Sequence, residues 1–336
     1  MKPLRMRVAV ETLRLAKPFR ISGFVFETQD AVVVTLDDGT CRGVGEASGV
    51  YYLGDTAESM VAAIEAQRDA IEGGIDRTAL QRLMPPGGAR NAVDCALWDL
   101  QAQQTGRDVW QLAGLASVKP LVTTFTMGAD DPAVMAEGAR AFAQARALKM
   151  KLTGDLDEDI ARVKAVRSAR PDTWLGVDAN QGYGIDALVR LMPTLVEANV
   201  SLLEQPIRRG READLDGYRS PIPVAADESV LCLADIAGAL NRFNVINIKL
   251  DKCGGLTEAL AMAHEARRLG LGVMVGNMVG TSLAMAPAFV VGQLCDIVDL
   301  DGPVFLAADR TPGVTYERGM VWCGRDVWGS RQAAAA

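Results

Sequence analysis

LKMKLTGDLDEDIARVKAVRSARPDTWLGVDAN, residues 148–180, contains one full repeat of an architecture: a short apolar run (LKMKL), an amphipathic helical pattern (DEDIARVKAVRSAR) and a second short apolar run (WLGVDAN). The short runs read as strands and the text between them carries the helical period. The alternation extends in both directions after Lys119. VTTFTM precedes it, and SLLEQP, PVAADES, VINIKL, GVMVGN and DIVDLD follow, with helical text such as LTEALAMAHEARRLG between most of them. Eight right-handed β/α units predict a closed barrel whose functional groups sit at the carboxyl ends of the strands. A doubly wound open sheet is the competing arrangement, but no GxGxxG follows the first strand.

The first part of the chain reads differently. From Arg5 to Glu46 the pattern is strand-like, with a turn at Asp37, Asp38 and Gly39. From Thr56 to about Leu115 it is helical. Thr56 and Ser59 are helix-start residues, Pro85 and Pro86 break the run, and ARNAVDCALWDLQAQQTG keeps helical spacing up to Gly106. The expected fold is therefore α/β: a TIM-type (β/α) barrel over 119–309 with an N-terminal α+β capping domain over 1–118, to which a C-terminal segment of about 310–330 is expected to return.

With 49% hydrophobic and 23% charged residues, the 336-residue chain can bury a large core and is not a disordered polymer. A formal charge of −7 supplies no basic surface for nucleic acid or anionic lipid. Six scattered cysteines without a CxxC pair, and a start without a secretory apolar region, lead us to expect a reduced, cytoplasmic protein. Residues 269–295 carry no charge and are long enough to cross a bilayer, but Asn277, Thr281, Ser282, Pro287 and Gln293 make two buried elements around a loop the better reading.

Charges interrupt the strands near their C-terminal ends, where burial without a partner is costly. Lys149 and Lys151, two residues apart, point to one side of their strand, as do Asp178 and Asn180 of the next. Glu204 and Asp227 come from the two strands after that. Carboxylates at one height on neighbouring strands can converge on one ion, and an all-oxygen set without histidine or cysteine suits Mg²⁺, one per subunit. Asp178, Glu204 and Asp227 are thus the expected metal ligands.

Lys249, four strands after Lys151, should face it across the barrel mouth. That is the geometry of 1,1-proton transfer: one amine removes a proton from a carbon while the opposite one returns a proton to the other face, and the metal stabilises the enediolate of a bound carboxylate. A base lysine must be neutral, so its pKa is expected to fall, with Lys149, the ion and burial all disfavouring the charge; Lys149 could also bind the substrate carboxylate. The single histidine, His264, lies in helical text, which disfavours histidine and zinc chemistry.

These ordered motifs, KxK at Lys149 and Lys151, DxN at Asp178 and Asn180, EQP at Glu204, DES at Asp227 and KLDKCGG at Lys249, resemble the enolase superfamily and its muconate-lactonizing-enzyme-like subgroup across nearly the whole chain. The resemblance implies a catalytic lysine on either face of the substrate, capping loops at 21–27 and 49–55, Asn180 and Asp251 as residues behind the ligands, and a homo-oligomer. The last strand, DIVDLDGP, is similar to the DxD motif of dipeptide epimerases of the L-Ala-D/L-Glu type. That similarity implies that Asp299 and Asp301 hold the substrate's α-ammonium group, with Thr126 adding a hydrogen bond. The first capping loop, ISGFVFE, offers Phe24 and Phe26 where those epimerases tend to carry a basic residue, so a dipeptide with a neutral or hydrophobic C-terminal residue is expected, with Arg20 bordering the loop.

Two other readings stay open. One is a sister activity on the same scaffold: N-acylamino acid racemase, o-succinylbenzoate synthase or cycloisomerase. The other is a barrel that binds a small ligand without catalysis.

Overall fold

The computed structural model of the chain describes residues 3–21 and 24–330, with the backbone alone at 19–21 and 24. It opens with an antiparallel sheet, β1 (Arg5–Ile21), β2 (Phe24–Asp37) and β3 (Arg42–Ser48), followed by helices α1 (Ala57–Glu65), α2 (Arg68–Glu72), α3 (Arg77–Leu83), α4 (Gly88–Thr105) and α5 (Val109–Leu112). Thr56 and Ser59 cap α1 reciprocally, and Gly106 ends α4 at φ 68° in the left-handed region. Helix α4 lies close on β3 because Gly43 and Gly45 lack side chains: a Cβ on either would stand 2.2 Å from a carbonyl oxygen of α4.

The barrel follows in chain order: β4 (Leu121–Val122), β5 (Thr124–Met127), α6 (Pro132–Ala141), β6 (Ala147–Lys151), α7 (Leu156–Ala169), β7 (Trp174–Asp178), α8 (Ile185–Glu197), β8 (Leu202–Glu204), β9 (Val224–Ala226), α9 (Ile236–Ala239), β10 (Val245–Ile248), α10 (Leu250–Cys253), α11 (Leu256–Arg268), β11 (Gly272–Val275), α12 (Ser282–Gly292), β12 (Ile297–Val298), β13 (Thr315–Glu317) and β14 (Met320–Trp322). Strands β5 to β12 form one eight-stranded sheet in sequence order, every described ladder parallel. At the seam between β12 and β5, Thr123 Oγ1 accepts from Leu300 N at 2.9 Å and Asp301 Oδ2 accepts from Thr126 N at 2.6 Å, so side chains draw the two ends together.

Strand alternation sorts the residues. Leu148, Met150, Leu175, Val177, Leu203, Ile246 and Ile248 join the large core beneath the helices. Leu202, Ala225, Val245 and Met274 form a separate small apolar cluster, leaving the charged positions to the carboxyl ends. The uncharged 269–295 stretch is β11, a loop and α12, and among the described residues no helix is long and apolar enough to cross a membrane.

Four details differ from the expectation. VTTFTM is split: Leu121–Val122 pairs with β14 antiparallel, and Thr124–Met127 alone enters the barrel. After β8 and β12 the chain makes only 3₁₀ turns, Glu212–Leu215 and Gly302–Phe305, because glycines and prolines in 207–223 and 302–313 interrupt helix formation. The expected capping loop 21–27 is largely strand, the tip of a long β1–β2 hairpin whose residues 22–23 lie outside the described ones. Asp227, Lys249, Asp299 and Asp301 stand just past their strands rather than in them.

The hairpin leans over the barrel through Ala307 N, which donates to Arg14 O at 2.9 Å. The end of the chain packs on the capping unit: Trp328 Nε1 donates to Val44 O at 2.7 Å and Val109 N to Gly329 O at 2.7 Å.

Candidate active site and metal centre

The strand ends open into a cleft of about 700 Å³ counting its mouth, a size that takes a small ligand. Lys149, Lys151, Asp227, Lys249, Asp299 and Asp301 line it from the barrel, and Phe26, Gln29, Tyr51 and Tyr52 from the capping unit. The parallel register sets Lys151 opposite Asp178 and Asp178 opposite Glu204; Glu204 lies opposite Ala225, two residues before Asp227. Neighbouring strands are about 4.8 Å apart, and one oxygen from each of Asp178, Glu204 and Asp227 lies within 4.8 Å of the others. All three side chains are buried.

This donor set fits a hard divalent cation. Glu204 Oε2 is buried without a hydrogen bond, since Lys149 Nζ at 3.3 Å makes an ion-pair contact without hydrogen-bond geometry. Asn180 Oδ1 and Glu228 Oε2 are likewise buried acceptors without a donor among the described residues. Orphaned acceptors are costly to bury, and a cation with its water shell would satisfy them. Burial, then Asp178, pushes the Glu204 carboxyl up to about 7. Asp227 is the reverse case: burial raises it, but Lys249 and Lys252 overcome that and hold it below the ordinary carboxylate range.

Each predicted lysine meets a carboxylate. Lys151 Nζ donates to Asp178 Oδ2 at 2.6 Å, Lys249 Nζ to Asp227 Oδ2 at 2.7 Å, and Lys149 Nζ to Asp299. At Lys249 these contacts oppose the expected fall in lysine pKa. Burial lowers Lys149 and Lys249, but Asp299 and Glu204 around the first, and Asp227 and Glu204 around the second, outweigh it and place both above the ordinary lysine range. Nor does Lys149 stand as an uncompensated charge beside Lys151, because Asp299 neutralises it.

Asp299 and Asp301 are both buried but differently engaged. Asp299 accepts from Thr124 Oγ1, from Thr126 Oγ1 at 3.3 Å and from Lys149, whereas the Asp301 carboxylate is held, among the described residues, by Thr126. Burial, then Asp299, pushes Asp301 up to about 7, while Lys149 and Thr124 hold Asp299 low despite burial. Asn180 lines the cleft with φ 43°, its N–H donating to Asp178 Oδ1 at 2.9 Å. Asp251 sits away from the cleft lining, accepting from Ser48 N at 2.9 Å and Asn91 Nδ2 at 3.0 Å, and so ties the capping unit to α10. Phe26 lines the cleft; the Phe24 side chain, like that of Arg20, lies outside the described residues.

Sequence reasoning missed four residues. Lys252 is fully buried and donates to Asp227 Oδ1 and Asp227 O at 2.6 Å each and to Asn247 O at 2.9 Å. Asn247 Nδ2 donates to Glu204 Oε1 at 2.6 Å. Gln205 Oε1 accepts from Asp227 N at 2.9 Å and Ser229 N at 3.1 Å. Glu228, beside Asp227, lines the same cleft. Strand alternation would send Glu228 away from Asp227, but β9 ends at Ala226 and the rule no longer holds. For Lys252 the available signal was its one-turn spacing from Lys249.

Residues 133–323 match the family described as Enolase C-terminal domain-like, and residues 4–114 match the Mandelate racemase / muconate lactonizing enzyme, N-terminal domain. The chain is 36% identical over 316 residues to the L-Ala-D/L-Glu epimerase of Escherichia coli (strain K12), covering 94% of this chain and 98% of the relative. An enolase family member from Agrobacterium tumefaciens, described as having homology to dipeptide epimerases and solved with sodium and L-Ala-L-Glu, aligns at 42% identity and a TM-score of 0.94, covering 97% of this chain and 100% of that one. A dipeptide epimerase from Enterococcus faecalis V583, solved with Mg and L-Leu-L-Tyr, aligns at 28% identity and a TM-score of 0.91, covering 98% of each chain.

Proposed function

The chain belongs to the enolase superfamily, in its mandelate racemase / muconate lactonizing enzyme branch, and from that premise we propose that it is a Mg²⁺-dependent dipeptide epimerase that inverts the α-carbon of the C-terminal residue. The observation that carries the reading is the placement of Lys151 and Lys249 at the carboxyl ends of strands four apart in an eight-stranded sheet, with the three buried carboxylates on the arc between them.

Asp178, Glu204 and Asp227 would hold the ion. When bound, it would supply positive charge that stabilises the charge developing on the substrate carboxylate and offsets the carboxylates of Asp227 and Glu204, which hold Lys249 above the ordinary lysine range. The chain's own groups do the rest. The neutral amine of Lys151 or Lys249 takes the α-proton and becomes an ammonium; the other lysine gives its proton to the opposite face and becomes the amine. A turnover in the reverse direction exchanges the two roles. Asp301 receives the substrate's α-ammonium, and Asp299 anchors Lys149, whose charge faces the substrate carboxylate.

The L-Ala-L-Glu bound by the Agrobacterium relative makes that dipeptide the first substrate to try. A specific observation favours a second reading, a neutral or hydrophobic C-terminal residue: Phe26, Tyr51, Met278, Val279 and Phe305 line the mouth, and no arginine is among the described lining residues. Six free cysteines accord with a reduced, cytoplasmic enzyme, and we propose a homo-oligomer. Incubation with Mg²⁺ and a panel of dipeptides and N-acyl amino acids in D₂O, read by mass, tests both readings. Gain of one deuterium at the C-terminal residue is expected. Gain only with N-acyl amino acids points to the sister racemase, and no gain with any compound refutes the enzyme.

A further inference from the structure

Glu228 is 2% exposed, and its Oε2 has no hydrogen-bond partner among the described residues. Its position is enforced from both sides, because Gln205 Oε1 clamps the N–H groups of Asp227 and Ser229. A buried carboxylate with an orphaned oxygen and no described ion pair, braced in this way, is costly to the fold.

Charge accounting around the triad gives it a purpose. Lys151 contacts Asp178, Lys149 lies near Glu204, and both Lys249 and Lys252 contact Asp227. A divalent ion entering among these ammonium groups meets carboxylates already largely compensated. Of the acidic groups that line the cleft, Glu228 and Asp301 make no described ion pair, and Asp301 is at the β12 seam with Thr126. Glu228 is the one next to a ligand.

We propose that Glu228 is a fourth carboxylate of the metal centre, its Oε2 accepting hydrogen bonds from the water shell of a Mg²⁺ ion held by Asp178, Glu204 and Asp227. The inference rests on the metal reading above and adds a residue to it. Groups of this kind usually change metal affinity by about 10- to 100-fold when removed.

The test is calorimetric titration of MgCl₂ into the metal-stripped full-length protein, native and Glu228→Gln, without substrate. Mg²⁺ binding is expected to weaken by about 10- to 100-fold, with the unfolding temperature of the metal-stripped variant unchanged or raised, since the amide carries no buried charge. Glu228→Met serves if the amide variant does not fold, with the same expectation. A variant that binds Mg²⁺ as tightly as the native protein overturns the assignment, even if turnover is lost. A native protein that takes up no Mg²⁺ overturns the metal centre together with this inference. Because no dipeptide is in the cell, the epimerase reading can fail while the titration still decides the role of Glu228.

Discussion

Asp301→Asn, measured on two substrates, isolates the contact proposed to select a dipeptide. One Asp301 oxygen takes the Thr126 N–H at 2.6 Å, and the side chain is 3% exposed. Asparagine can still accept from Thr126 through its oxygen, which turns its NH₂ towards the position proposed for the substrate ammonium. A hydrogen bond between charged groups contributes about 1.5–3 kcal/mol, and two unit charges about 4 Å apart at an effective dielectric near 20 attract by about 4 kcal/mol. Desolvation of both ions offsets part of the attraction. The remainder, about 2–4 kcal/mol, corresponds to about a 30- to 1000-fold loss of kcat/KM on L-Ala-L-Glu. Propionyl-L-glutamate, which lacks the amino group, never makes the contact, so its kcat/KM, followed by α-hydrogen exchange in D₂O, should change by no more than about 3-fold. Asp299→Asn should instead impair both substrates alike, because Asp299 holds Lys149. Equal losses on the two substrates in Asp301→Asn would refute the ammonium assignment.

Gly276→Ala would set a Cβ 2.7 Å from Asn247 Oδ1 and 3.1 Å from Lys249 Cε, so the expected result is a fall of about 10-fold or more in turnover with a smaller change in KM, checked by steady-state kinetics. Chelation should abolish exchange and lower the unfolding temperature. Restoring Mg²⁺ at 100 times its Kd should return both, with a stabilisation of about 2.7 kcal/mol. Burial raises Asp99 from 3.8 to about 6 despite N–H donors from Val44 and Gly329. Between those two values the unfolded chain has lost the proton that the folded one keeps, so stability falls as pH rises through that window. Asp99→Asn should flatten the slope in melts at pH 4 and pH 6.5; an unchanged slope would show that Asp99 does not titrate there.

Much of the site was legible because strand alternation is rigid: Lys149 and Lys151, or Asp178 and Asn180, share a face wherever the backbone is extended, and the parallel register then brings Asp178 beside Glu204. What escaped lies where the backbone stops being a strand. Glu228 follows the end of β9, and Lys252 sits one helical turn beyond β10, in α10. Strand alternation reaches neither position, and only the one-turn spacing from Lys249 pointed to Lys252. The upward shifts of Lys149 and Lys249 were illegible for another reason: pKa depends on partners distant in sequence, such as Asp299 for Lys149. The 3₁₀ turns that replace two barrel helices follow from the glycines and prolines of 207–223 and 302–313.

The central claim is that Lys151 and Lys249 address one carbon from opposed faces. Solvent deuterium incorporation into separate L,L and L,D epimers of the dipeptide, catalysed by Lys151→Ala and by Lys249→Ala, tests it most directly. Each variant should fail to epimerise yet still exchange the α-hydrogen of one epimer, and the two variants should choose opposite epimers. Exchange of both epimers by either variant, or loss of the same epimer in both, would contradict the account.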